Sequence, residues 1–160
     1  MAVDMFIKIG GLKGESIDKV HKDEIDVLSW SWGASNSGSA HSGGGMGSGK
    51  ANVQDLSFTK YIDKSSPDLM QATLTGKHFD SAVLVVRKAG GKPLEYVTIT
   101  MTQVLVSSVS TGGSGGEDRL TENVSLNFAK VKLDYKEQTK DGTAGASPTM
   151  TYNIAENSAE

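Results

Sequence analysis

Runs rich in Val, Ile, Thr and aromatic residues alternate along this chain with clusters of Gly, Ser, Asn and Asp, and a helical period is nearly missing. Apolar residues two apart, bounded by turn formers, mark strands. The pattern predicts strands near residues 3–9, 23–33, 52–60, 81–88, 94–108, 120–135 and 149–154. The 87–94 stretch, with Gly90-Gly91 inside it, reads as a hairpin loop. One segment departs from this: Ser65 or Ser66 can cap a helix, Pro67 suits its first turn, Asp68 favours the positive end and Gly76 can close it. In that short helix Leu69 with Thr73, and Met70 with Leu74, give a narrow apolar stripe at i to i+4 spacing that can lie over a sheet.

The long strands change phase partway. Residues 124–135 carry Val124, Leu126 and Phe128, then Val131, Leu133 and Tyr135. Residues 94–108 carry Val97, Ile99 and Met101, then Val104 and Val106; residues 23–33 carry Ile25 and Val27, then Leu28, Trp30 and Trp32. A period of two forbids this in a straight strand, so each must bulge or bend. Strands that turn a corner predict an all-β fold, a bent-strand β-barrel or orthogonal sandwich with one short side helix.

Length and composition then narrow the functions. At 160 residues the chain suits one domain over 1–160, with 33–50 as an extended Gly/Ser loop and 155–160 as a frayed tail. The net charge is −3 and the basic residues are scattered, which argues against nucleic acid and anionic membrane as partners. Cysteine is absent, removing disulfides, thiolate catalysis and thiolate-bound metals. Met5-Phe6-Ile7 is too short for a signal-peptide core, and no apolar run approaches the roughly 20 residues of a membrane-spanning helix, so no membrane insertion is expected.

The candidate chemistry is thin. Gly44 to Lys50 fits the first seven positions of a phosphate-binding P-loop, but Ala51 lacks the hydroxyl that would hold Mg²⁺, and a strand-like stretch follows in place of a helix. His21, His41 and His78 lie on unrelated stretches with no spacing that converges on a metal or nucleophile, and read as exposed or loop histidines. Glu117, Asp118, Arg119 and Glu122 follow a glycine-rich loop, where ion pairing across a turn or a subunit boundary fits them better than catalysis. Trp30 and Trp32 read as core filling in preference to a sugar-stacking platform. No catalytic, cofactor or metal residue is predicted, and the chain reads as a non-enzymatic, self-assembling subunit.

Four blocks, MAVDMFIKI at the start, EIDVLSWSWG at 24–33, NVQDLSFTKYIDKSSPDLM at 52–70 and VLVSSVSTGGSGGEDRLTENVSLNFA at 104–129, together resemble the Hcp family, the haemolysin-coregulated tube protein of bacterial type VI secretion. The resemblance spans nearly the whole chain. It implies a homohexameric ring, rings stacked into a tube inside a contractile sheath, a VgrG-like spike at the tip, and small effector proteins sheltered in the lumen. It further implies a chain that is cytoplasmic before firing and then secreted without a signal peptide. The alternative is a soluble glycan- or peptide-binding β-barrel module using Trp30, Trp32 and the glycine loops.

On this reading, strict alternation sets Ser29 and Ser31 opposite the core face of their strand, making them lumen candidates along with Thr98 and Thr100. The 33–50 loop is too rich in glycine to order itself alone, so Ser37, Gly38, His41, Gly44 and Met46 are candidates for contact between rings. Glu117, Asp118 and Arg119 are candidates for the boundary between subunits.

Overall fold

The computed structural model describes residues 3–38, 50–90 and 93–160. Along the chain run β1 (Val3–Ile9), β2 (Ile25–Asp26), β3 (Ser29–Ser31), β4 (Ala34–Asn36), β5 (Ala51–Val53), β6 (Leu56–Tyr61), α1 (Ser66–Thr75), β7 (His78–Lys88), β8 (Leu94–Thr111), β9 (Thr121–Tyr135), β10 (Thr149–Asn153) and β11 (Ser158–Ala159). The main sheet runs β11-β10-β9-β8-β7-β1-β2, with β6 branching from β9 and β3 pairing with β6. Among the described residues the fold is all-β apart from one short helix. Its pairings among the described residues make an open, bent sheet and not a closed ring of strands, so it is sandwich-like.

The bend explains the phase changes. One edge of β9 pairs with β6 over 121–126 and with β10 over 130–134, while the other edge stays on β8 throughout. Between those two neighbours the buried set passes from Val124, Leu126 and Phe128 to Val131. Opposite this point Gln103 takes a left-handed conformation, φ 54°, and β8 passes from Ile99 and Met101 to Val104 and Val106 in the core. A second irregularity between Val106 and Ser108 advances the register by one residue. Each kink turns the strand so that its next stretch can face the same core.

The 23–33 stretch breaks where it changes partner. Ile25 and Asp26 pair with β1, whereas Ser29 to Ser31 pair with β6. At the break Leu28 is 39% exposed and is not a core residue, although Trp30 and Trp32 do pack against the core. Tyr135 is likewise exposed, because β9 has reached the sheet margin there.

Helix α1 begins at Ser66 with Pro67 in its first turn and ends on Gly76 in the left-handed conformation, φ 71°. Its packed face is Leu69 with Ala72 at i to i+3 spacing; Leu74 points away and is 78% exposed. The base of the Gly/Ser loop is also more ordered than its composition suggests. Ala34 to Asn36 pair in register with Val53 to Ala51 as a two-stranded ribbon.

Candidate functional site

The β6/β9 pair displays two different faces. Leu56, Phe58 and Lys60 point inward opposite Leu126, Val124 and Glu122. Between them Ser57 and Thr59 point outward opposite Ser125 and Asn123. Extended through the neighbouring strands, the outward set forms two rows: Ser31–Ser57–Ser125–Ser108 and Ser29–Thr59–Asn123–Ser110. Ser57 and Ser125 share a hydrogen bond of 3.0 Å, and Thr59 Oγ1 donates to Asn123 Oδ1 at 2.7 Å. Only because the register advances at Ser107 does Ser108 stand beside Ser125. Asp55 holds that place, accepting from Ser107 Oγ at 2.6 Å and from Asn127 Nδ2 at 2.9 Å.

Ser29 and Ser31 are therefore exposed members of a broad hydroxyl surface. Thr98 and Thr100 do not join its rows. They lie on β8 before the change of phase at Gln103, beside Val85 and Asp134 and beside Val83 and Lys132. The neighbours that sequence reasoning missed, Ser57, Thr59, Asn123, Ser125, Ser108 and Ser110, carried a signal: each alternates with a buried apolar or ion-paired residue or follows the Val106–Val109 phase step. This face offers hydroxyls and one amide, with no charge and no large apolar anchor among these eight residues. It can exchange weak hydrogen bonds with many surfaces and grip none of them tightly.

Glu117, Asp118 and Arg119 are all exposed and line a shallow depression with Leu28, Tyr61 and Thr121. The Arg119 guanidinium lies 3.8 Å from the Tyr61 ring centroid, a close cation–π stack. Glu122 does not belong to this group. It is buried and accepts from Lys60 Nζ at 2.5 Å and from Ser66 Oγ at 2.5 Å, while the fully buried Lys60 also reaches Asp63 at 3.0 Å. That cluster ties β6, β9 and the start of α1 together.

Ser37 and Gly38 are exposed beyond the β4 end of the ribbon. His41, Gly44 and Met46 lie outside the described residues, as does Gly91 of the 87–94 hairpin loop. Ala51 opens strand β5, where a P-loop would open a helix. Trp32 is half-buried, donates its indole N–H to the Gln54 carbonyl at 3.0 Å and leans on Phe128, as core filling requires. His78 is exposed as expected, but His21 is only 6% exposed, because its ring stacks on Phe6 and both ring nitrogens meet carboxylates. Among the described residues no group of three or more His, Asp or Glu is placed to hold a metal ion.

The bent β-sheet with its side helix is a fold shared with solved structures of type VI secretion proteins. A family model described as type VI secretion system effector, Hcp, matches residues 6–135. Protein hcp1 of Pseudomonas aeruginosa is 65% identical over 159 residues, covering 98% of each chain. The crystal structure of Hcp1 from Salmonella typhimurium is 40% identical, covers 100% of both chains and superposes with a TM-score of 0.81. A structure of a type six secretion system protein, 32% identical, covers 99% of this chain and 100% of its own with a TM-score of 0.93. The chain belongs to the Hcp family of type VI secretion proteins.

Proposed function

We propose that this chain is the tube subunit of a type VI secretion system, closing into a homohexameric ring whose hydroxyl face lines the lumen. Stacked rings form a tube inside a contractile sheath, tipped by a VgrG-like spike, and small effector proteins ride within. The subunit is held in the cytoplasm until firing and then leaves as folded protein. It works without catalysis or cofactor, because what its surface supplies is shape and weak hydrogen bonding.

The observation that carries this reading is the pair of polar rows spanning β3, β6, β9 and β8. A surface of this breadth with no apolar anchor suits a wall that passes cargo along. The exposed Glu117, Asp118 and Arg119, beside Leu28 and Tyr61, supply a charged rim around partly apolar ground for a head-to-tail contact, which closes only at one rotation. Ser37, Gly38, His41, Gly44 and Met46 would meet the next ring.

Light scattering on the purified chain tests the ring: a particle near six times 16.9 kDa supports it and a monomer at all concentrations overturns it. Arg119→Glu is expected to shift the mass downward. In the same preparations, Ser31→Gln is expected to reduce recovery of a small co-expressed effector while ring mass is unchanged. Equal recovery from an intact ring would take Ser31 out of the cargo surface.

A further inference from the structure

Residues 10–24, between β1 and β2, fold into a closed loop. Gly14 N donates to Asp23 O at 2.7 Å, Ser16 N to Glu24 O at 3.0 Å and Asp23 N to Ser16 O at 2.9 Å. The closure is tight enough that a Cβ on Gly14 would stand 2.4 Å from the Glu24 carbonyl oxygen. The loop tip presents two apolar side chains to solvent, Ile17 at 97% exposed and Val20 at 68%.

His21 fastens this loop to the sheet. Its ring stacks on Phe6 of β1 with centroids 4.5 Å apart, while Nδ1 stands 3.0 Å from Glu24 Oε2 and Nε2 stands 2.7 Å from Glu95 Oε1 of β8. An ionised carboxylate can only accept, and a neutral imidazole has a single N–H. Two carboxylates facing two ring nitrogens at hydrogen-bond distance are therefore satisfied together only by the imidazolium, which donates from both.

We propose that His21 is a proton-dependent clamp: its imidazolium bridges Glu24 and Glu95, and loss of one ring proton breaks one of the two bridges and so loosens the 10–24 loop against β8. A neutral ring must set a nitrogen lone pair against one of the carboxylates, so one bridge becomes repulsive while the other persists.

The surroundings leave His21 as the group that switches. Within the loop Glu24 and Asp18 face it, Asp18 Oδ2 accepting from the His21 backbone N–H at 3.1 Å. From β8 comes Glu95. From β7 comes Arg87, whose guanidinium sits 5.1 Å from the Phe6 ring centroid and pairs with Asp18 at 2.6 Å and with Asp4 of β1 at 3.2 Å. Asp26 of β2 lies opposite Phe6 in register. The hydrogen bond from Arg87 holds the Asp18 carboxyl well below the usual carboxylate range, so the Arg87–Asp18 anchor stays charged whichever form the ring takes. The loop is then held by that anchor, by the surviving His21 bridge and by the Lys64 N–H that donates to Glu15 at 2.7 Å, and what changes is how firmly Ile17 and Val20 are presented.

Amide hydrogen exchange on the intact wild-type chain tests this at about pH 5.5 and about pH 8.5, bracketing the ordinary imidazole range. After correction for intrinsic exchange, protection of the Gly14, Ser16 and Asp23 amides is expected to fall about tenfold at the higher pH, the scale of one hydrogen bond to a charged group. Amides of β9 should keep their protection. In His21→Phe, which retains an aromatic ring against Phe6, loop protection should be the same at both values. Equal wild-type protection at both, an equal fall in the variant, or a fall shared with β9 overturns the proposal. Should the variant not fold, ring-nitrogen NMR shifts of the wild type decide it: two protonated nitrogens at the lower pH support the clamp, and a neutral ring there ends it.

Discussion

The two faces of the β6/β9 pair are built from the same twelve backbone positions and obey opposite rules. Inward, Leu56, Phe58 and Lys60 meet Leu126, Val124 and Glu122, and every one of them is buried. Outward, Ser57 and Thr59 meet Ser125 and Asn123 with access to water. On the inner face a polar group is tolerated only as a fully partnered ion, since an unpartnered charge away from water costs several kcal/mol. On the outer face the polar groups are nearly free to vary in stability terms, because water replaces whatever bond is lost. Stability is thus concentrated on one side of the sheet, and the side left free is the one proposed to meet cargo.

The strongest way to break this contrast is to strip Lys60 of its partner. Glu122→Ala leaves an ammonium at 0% exposure with only Asp63 and Ser66 to answer it, and is expected to destabilise the fold by about 3–5 kcal/mol. Replacing the whole charged cluster, Lys60→Met with Glu122→Leu and Asp63→Asn, should lie much closer to wild type, because no unpartnered charge is then left in the interior. Urea unfolding at fixed protein concentration reads both. A combined variant as damaged as the single one would mean that the cluster has a role beyond neutralising buried charge.

A smaller effect comes from the Arg87–Asp18 pair, which belongs to neither face and sits at the rim. The Arg87 hydrogen bond lowers the Asp18 carboxyl from its ordinary 3.8. A carboxyl lowered in the folded state contributes stability that is complete above the ordinary value and is lost as pH falls through the lowered one. Asp18→Asn should therefore unfold at lower urea than wild type at neutral pH, with the gap closing below about pH 4. A gap that stays constant with pH would assign the effect to packing.

Much of this arrangement was legible in the sequence, and the places where it was not share a cause. The longer strands, the short helix with its Gly76 stop and the phase change near Gln103 follow from local spacing, whereas β4 and β11 pair within the stretches read as extended loop and frayed tail, and Ser65 makes no side-chain capping bond. The phase change at Val27-Leu28 marked a break, but the change of partner from β1 to β6 that causes it is encoded in no local pattern. Lys60 and Glu122 are 62 residues apart, yet each continues a buried alternation, Leu56-Phe58-Lys60 and Leu126-Val124-Glu122, so the signal was present and only the pairing was hidden. The step from Val106 to Val109 likewise carried the second bulge. His21 had no such marker. Its burial depends on Phe6, Glu24 and Glu95 meeting across a loop and two strands.

The smallest expected effect lies on the outer face and sharpens the contrast most directly. Ser57 Oγ and Ser125 Oγ are 3.0 Å apart in directly paired positions, the geometric counterpart of Lys60 and Glu122 three pairs along the same two strands. Both serines are half-exposed, so either hydroxyl can turn to water when its partner is lost. A double-mutant cycle of Ser57→Ala, Ser125→Ala and the combination is expected to give a coupling of about 0.2–1 kcal/mol, the range for cross-strand pairs on one sheet face. Each single change should itself cost less than about 1 kcal/mol, as substitutions near the surface do. The same variants should nonetheless alter cargo recovery, since two hydroxyls of the proposed wall are gone. A coupling several times larger would mean that the serine pair is structural, like the ion cluster behind it, and that the division of the sheet into a stabilising face and a free one does not hold.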